Sequence, residues 1–206
     1  NHVRDINFQA SYYMRTKKFD DKKIMAAKLA RLAGCSDEEL IITRNTTESL
    51  DTVIAGTTWQ PGDEAVMAEQ DYGAMLDMFG MMAKRHGVVN RVISVPNHPV
   101  SDEEIVEIYA GAITSKTKLL MVCHLINITG QILPIKKICD MAHSKGVKVL
   151  VDGAHAPGIV PLNLETLGAA YYTGNGHKWL CAPKGAAFLY VRPDRQEGLR
   201  PLTISH

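Results

Sequence analysis

Apolar residues follow two rhythms along this chain, and the rhythms alternate. FDDKKIMAAKLARLAG (19–34) places Ile24, Ala27, Leu29 and Leu32 at helical spacing, with acids at its start and Gly34 at its end. ELIIT (39–43) follows as a short buried strand. RNTTESLDTVIAG (44–56) reads as a loop running into a helix. After a PGD turn at 61–63, EAVMAE is a strand, YGAMLDMFGMMAKRHG a helix closed by Gly87, and VVNRVISV a strand. Ser101 to Glu104 matches a capping box and opens the next helix. TKLLMVCHL is a continuous apolar strand, and ILPIKKICDMAHSKG a helix with Pro134 near its start and Gly146 at its end. VKVLVDGAH, AAYYTG and GAAFLYV complete the set as strands. Near-continuous apolar strands separated by amphipathic helices predict an α/β fold, with a mostly parallel sheet covered on both faces.

Composition changes this picture little. Of 206 residues 46% are apolar and 22% charged, and the net charge of +1 gives no bulk field for nucleic acid or a membrane surface. The longest apolar run, LLMVCHLINI, is too short to span a bilayer and carries His124 and Asn127. Cys35, Cys123, Cys139 and Cys181 form neither a CxxC pair nor a zinc pattern. Cys123 and Cys139 are expected as small core residues, and the set points to a reducing, cytoplasmic compartment. The chain starts at Asn1 without signal-peptide character and ends in RPLTISH; both ends are read as cuts through a longer protein.

In such sheets ligands bind beyond the carboxyl ends of the strands. The loops there are RNTTE, AEQDYG, HLINITG, DGAHAPG and TGNGHKW. Asp152 follows the apolar run VKVLV, where a carboxylate is costly unless a cation or a donor meets it; a loop-capping Asp is the plainer reading. His155, three residues on, is by itself an ordinary structural histidine. Lys178 lies 26 residues after Asp152 and one strand later, so both can reach the same sheet edge. A lone lysine is by default a surface residue, but Gly176 allows close backbone approach, and Asn175 and His177 can donate to an anion. Asn45 with Glu48 explains RNTTE as a helix start, while the same free N–H groups, with the Thr46 and Thr47 hydroxyls, suit a phosphate. Asn127 taken alone is a turn former, and Tyr72 a helix-end aromatic. Together, a lysine amine, a buried acid, a helix N-terminus and an aromatic face are the parts of one site, that of pyridoxal 5'-phosphate (PLP). Its aldehyde condenses with an amine, and its ring nitrogen draws electrons while protonated.

The motifs RNTTESL, EQDYGAM, NITGQILPI, VDGAHAPG and YYTGNGHKWLCAPKGAAFLYV run in order from about residue 40 to 191, and through them the chain resembles the fold-type I PLP enzymes of the class V aminotransferase group. The likeness is greatest to the isopenicillin N epimerase-like branch, with the cysteine desulfurases as cousins. The resemblance implies a three-layer α/β/α large domain with a mostly parallel seven-stranded sheet, and a smaller C-terminal domain. On that basis residues 1–19 are an N-terminal segment, 20–192 the PLP-binding domain, and 193–206 the start of a connection to the second domain. It implies Lys178 as the amine of the internal aldimine and the carrier of the alpha proton, and Asp152 as partner of the ring nitrogen. His155 and Asn127 fall near the ring 3'-oxygen and Tyr72 over the ring face, where the desulfurases have a histidine. Thr46, Thr47, Asn175 and His177 hold the phosphate. The implied activity is at the alpha carbon of an amino acid, of epimerase or aminotransferase type, in a homodimer, with PLTISH as a segment reaching the partner subunit. Three rivals stand beside it: a cysteine desulfurase or carbon–sulfur lyase; a silent PLP-fold scaffold, which has no need of Lys178 or Asp152; and a generic phosphate-binding α/β domain, which explains RNTTE and leaves the Asp152–Lys178 pair unexplained. No metal ligand set, and no arginine for the substrate carboxylate, is nominated among Arg192, Arg195 and Arg200.

Overall fold

The computed structural model describes residues 2–202. Three helices open the chain: α1 (His2–Phe8), α2 (Ala10–Thr16) and α3 (Lys18–Ala33). Residues 2–18, to which the sequence pattern assigns no element, are thus mostly helical, but α1 and α2 bury no side chain. Then follow β1 (Leu40–Thr43), α4 (Thr46–Gly56), β2 (Glu64–Ala68), α5 (Gly73–His86), β3 (Val89–Ile93), α6 (Asp102–Ala112) and β4 (Thr117–Cys123). The rest comprises α7 (Ile135–Ser144), β5 (Lys148–Gly153), the short α8 (Leu164–Leu167), β6 (Tyr171–Asn175), β7 (Ala187–Val191) and α9 (Pro193–Gln196). Each of the seven strands read from the sequence is present, shortened by one or two residues at most ends, and β6 runs one residue longer than read. The short α8 and α9, one turn each, had no periodicity to reveal them.

The sheet order is β1-β7-β6-β5-β4-β2-β3. Pairings among β3, β2, β4, β5 and β6 are parallel, and β7 runs antiparallel to both its neighbours. Strand pleating sends alternate residues to opposite faces, and the core divides accordingly. Leu119, Met121, Leu150, Tyr171 and Leu189 join Leu50, Val53 and Ile54 of α4 and Met75 and Phe79 of α5 on one face. Leu120, Val122, Val149, Val151, Tyr172 and Phe188 join Ile105 and Tyr109 of α6 and Ile138 and Cys139 of α7 on the other. This is the three-layer arrangement the apolar runs predict, since a strand covered on both faces has no polar side.

Helix ends behave as their residues dictate, with one shift. Gly34 and Gly87 close α3 and α5 in the left-handed conformation, φ 68° and 69°. Ser101 Oγ accepts the Glu104 N–H at 3.4 Å, but Glu104 accepts from Val100 N–H, not from Ser101. The reciprocal half of the expected capping box therefore sits one residue early. Among the described residues no helix is long and apolar enough to cross a membrane.

Candidate active site

Because β4, β5 and β6 are parallel, their carboxyl ends open on one edge of the sheet, and the N-terminus of α4 faces the same edge. A cavity of about 200 Å³ lies there. Its walls include all nine residues singled out from the sequence: Thr46, Thr47, Tyr72, Asn127, Asp152, His155, Asn175, His177 and Lys178. They come from five separate stretches of chain.

Asp152 is the penultimate residue of β5 and only 4% exposed. Register sets Cys123 of β4 beside it on one side and Thr173 of β6 on the other. One carboxylate oxygen accepts the Ala154 N–H at 2.9 Å, and the other meets the Cys123 thiol at 3.8 Å. Among the described residues no cation lies within hydrogen-bond reach of it. Burial therefore raises its pKa, against the pull of the Ala154 N–H and of Lys178. The glycines that end the strands let the edge close tightly. A Cβ at Gly174 would stand 2.5 Å from the Phe188 ring and 2.8 Å from Pro157, and one at Gly153 would overlap the Tyr172 ring.

Lys178 enters from the turn after β6. Its Nζ lies 2.7 Å from His155 Nε2, and His155 Nδ1 accepts the indole N–H of Trp179 at 3.1 Å. Burial lowers the Lys178 pKa, while Asp152 and Cys123 pull it upward. His155 is lowered as well, by burial first and then by Lys178.

At the opposite wall α4 begins. Asn45 Oδ1 caps it by accepting the Glu48 N–H at 2.8 Å, while Glu48 reaches back to the Arg44 N–H. The Asn175 Oδ1 accepts the Thr46 N–H at 2.9 Å, tying α4 to the end of β6 and using one of the helix's free donors; the bond engages only the amide oxygen and leaves the Nδ2 group its role as a donor. Among the described residues Thr46 Oγ1 and His177 Nδ1 are buried polar atoms with no partner. Unsatisfied buried polar groups able to donate, beside a helix N-terminus, are what an anionic group would complete. Tyr72, half exposed, forms the lip of the cavity at the start of α5.

Three residues of this edge escaped the sequence reading. Cys123 is buried as expected, yet it also lines the cavity, and Asp152 and Asp71 push its thiol pKa up in addition to burial. Asp71 is 6% exposed and accepts the Ala68 and Cys123 N–H groups, pinning the ends of β2 and β4 together. Burial pushes it up to about 7. Its place in EQDYGAM, directly before Tyr72, was the available signal. Trp179 had none beyond its position after Lys178.

The class-V aminotransferase profile matches residues 13–205. The chain is 34% identical over 177 residues to the isopenicillin N epimerase of Streptomyces clavuligerus, covering 86% of this chain and 44% of that protein. It is 33% identical over 181 residues to a cysteine desulfurase of Haloferax volcanii, covering 84% and 41%. The structure of the cystine C–S lyase C-DES, in complex with its reaction product cysteine persulfide, superposes with a TM-score of 0.87 at 26% identity, over 98% of this chain and 56% of that one. Another C-DES structure, a mutant with glycine covalently linked to its PLP cofactor, superposes with a TM-score of 0.84 at 25% identity, over the same shares of the two chains. The chain thus spans less than half the length of these two curated relatives.

Proposed function

The chain belongs to the class-V aminotransferase family, a family of PLP enzymes, and on that premise we propose that it is the cofactor-binding part of an enzyme acting at the alpha carbon of an amino acid, with Lys178 as the amine that holds the cofactor. The observation that carries the reading is the pairing across one cavity of a lysine whose pKa is lowered with a buried carboxylate that no cation meets. A carboxylate so placed is costly in a finished core, and a positive group bound opposite it would offset that cost.

The residues fit PLP from end to end. Thr46 and Thr47 at the α4 N-terminus, with Asn175 and His177 at and just after the end of β6, would hold its phosphate, and Thr46 Oγ1 and His177 Nδ1, unpartnered among the described residues, support this. Asp152 would keep a proton on its ring nitrogen. Tyr72 would cover the ring face, with Asn127 and His155 toward its remaining ring oxygen. Bound there, PLP supplies an aldehyde for an amine to attack and a ring that withdraws electrons from the substrate's alpha carbon. The chain's own part is to present Lys178 Nζ unprotonated, to let that nitrogen take and return the alpha proton, and to shield the exchange from water. Asn175 also fixes the Thr46 backbone through its amide oxygen.

Epimerase or aminotransferase chemistry is the first reading, supported by the relatives named epimerase. Desulfurase or lyase chemistry is the second, supported by the likeness to C-DES. Alpha-proton exchange in deuterated water without sulfur release supports the first; sulfide or persulfide from cysteine or cystine supports the second. We also infer that residues 20–192 form the cofactor domain, that 193–206 lead toward a second domain, and that the enzyme works as a two-fold dimer, the commonest assembly. Of PLTISH, the segment read as reaching a partner, residues 203–206 lie outside the described residues. Four unpaired cysteines support a reducing, cytoplasmic setting.

Borohydride reduction of the yellow holoprotein tests the central assignment. It should bleach the colour and fix a pyridoxyl mass on Lys178. The same adduct in Lys178→Ala would overturn the reading.

A further inference from the structure

The geometry points to Trp179 as a positioning residue for Lys178: its indole N–H occupies the Nδ1 lone pair of His155, forces the ring proton onto Nε2, and so makes His155 a donor that only an unprotonated Lys178 amine can accept. The logic is one of donors and acceptors. An indole N–H only donates, and it points at His155 Nδ1 from 3.1 Å. That nitrogen must then be bare, and a neutral imidazole carries its single proton on the other. Nε2–H faces Lys178 Nζ at 2.7 Å. An ammonium has three donors and no lone pair, so the contact closes only when Nζ is the free amine. The reverse state, with Lys178 charged, needs the histidine proton on Nδ1, where it would meet the Trp179 N–H head on.

The surroundings hold this arrangement in place. Gly158, at φ 93°, packs on the Trp179 backbone, where a Cβ would stand 2.8 Å from the Trp179 carbonyl oxygen. The indole and imidazole rings lie 6.3 Å apart and tilted by 59°. Asp152 from β5, Cys123 from β4, His177, Tyr72 and Asn127 line the same cavity as Lys178, and His155 links Lys178 to Trp179. Only Asp152 and Cys123 favour the charged amine, and burial outweighs both. The tautomer set by Trp179 acts in the same direction as burial. Although 54% exposed, Trp179 directs its one polar side-chain atom at His155.

This inference rests on the reading of Lys178 as the cofactor amine, but it is tested on the cofactor-free protein, so the two can fail separately. Nitrogen-15 spectra of histidine-labelled protein should give His155 a bare Nδ1 and a protonated Nε2; a proton on Nδ1 would overturn the proposal without any variant. Trace acetylation of Lys178 by acetic anhydride, read by mass spectrometry across pH, should titrate below an ordinary lysine. In Trp179→Phe the midpoint should rise by about one pH unit, a tenfold loss of reactive amine at neutral pH. In a His155→Leu background the Trp179→Phe change should move nothing. An unchanged midpoint in the single variant, or an equal shift in the double, means Trp179 only packs. Absence of the borohydride adduct with the tautomer intact would sink the cofactor reading alone.

Discussion

Two buried acids stand at opposite ends of the same sheet, and they are treated in opposite ways. Glu64, at the amino end of β2, is 5% exposed and fully answered. Arg91 of the neighbouring strand β3 grips both its oxygens, at 2.6 and 3.0 Å, and the Thr114 and Thr117 hydroxyls add donors. Its pKa is lowered, by Arg91 first and by the Thr114 hydroxyl next. Asp152, at the carboxyl end of β5, is buried to the same degree and, among the described residues, has one backbone N–H, a thiol and no cation in contact. Its pKa is raised by burial. A charge whose partners are all in the fold is structural. A charge buried with its partner missing marks where another molecule belongs.

The comparison can be broken most decisively at Asp152. Asp152→Asn should retain the cofactor and lose alpha-proton exchange by at least about a hundredfold, the usual cost of removing a preorganised charge from a site. Exchange at the original rate in deuterated water would make Asp152 no different in kind from Glu64. Removing the unanswered charge should also raise the thermal midpoint of the cofactor-free protein at neutral pH, because a buried neutral amide costs less than a buried carboxylate.

Next in size is the tightness of the carboxyl edge. Gly174→Ala should cost about 1–3 kcal/mol through overpacking against Phe188 and Pro157, measured by urea unfolding. It should also weaken cofactor retention, since Pro157 lies in the loop that carries His155.

The smallest effect belongs to the satisfied acid. Glu64→Gln should lower stability by about 1 kcal/mol, because the Arg91 side chain is partly in water, and should leave proton exchange untouched. The two acids should also give opposite pH slopes in the cofactor-free protein. For Glu64 the folded pKa is lowered, so its contribution is present above the ordinary carboxylate range and lost as pH falls through the folded value. For Asp152 the folded pKa is raised, so the folded state binds the extra proton and stability is lost as pH rises through that value. Melting curves across acid pH should flatten on the acid side in Glu64→Gln and on the rising side in Asp152→Asn. Slopes of the same sign in both would end the distinction.

Much of this was legible in the order of residues, for reasons that are local. Strands such as TKLLMVC and KVLVD are apolar on both faces, so they had to lie inside a covered sheet. Acids, caps and closing glycines fixed the ends of α3, α5 and α6 to within a residue or two. Parallel strands bring their carboxyl ends together by geometry, so nine residues from five loops could be assigned to one edge before any distance was known. The helices α1 and α2 bury nothing and were missed, because no apolar stripe announces a helix without a core to face.

What the sequence by itself determined, then, was the fold class, the edge that carries the site, and the chemical kinds of side chain gathered there. Those follow from periodicity and chain direction, which are properties of neighbouring residues. Only the tertiary structure decided which hydrogen bond each of those side chains makes. It gave the Asn175 oxygen to the Thr46 backbone, set Cys123 against Asp152 across strands 29 residues apart in sequence, and turned His155 between Lys178 and Trp179. Hydrogen bonds reach about 3 Å and depend on angle, and no pattern along the chain fixes a distance that short between residues so far apart in it.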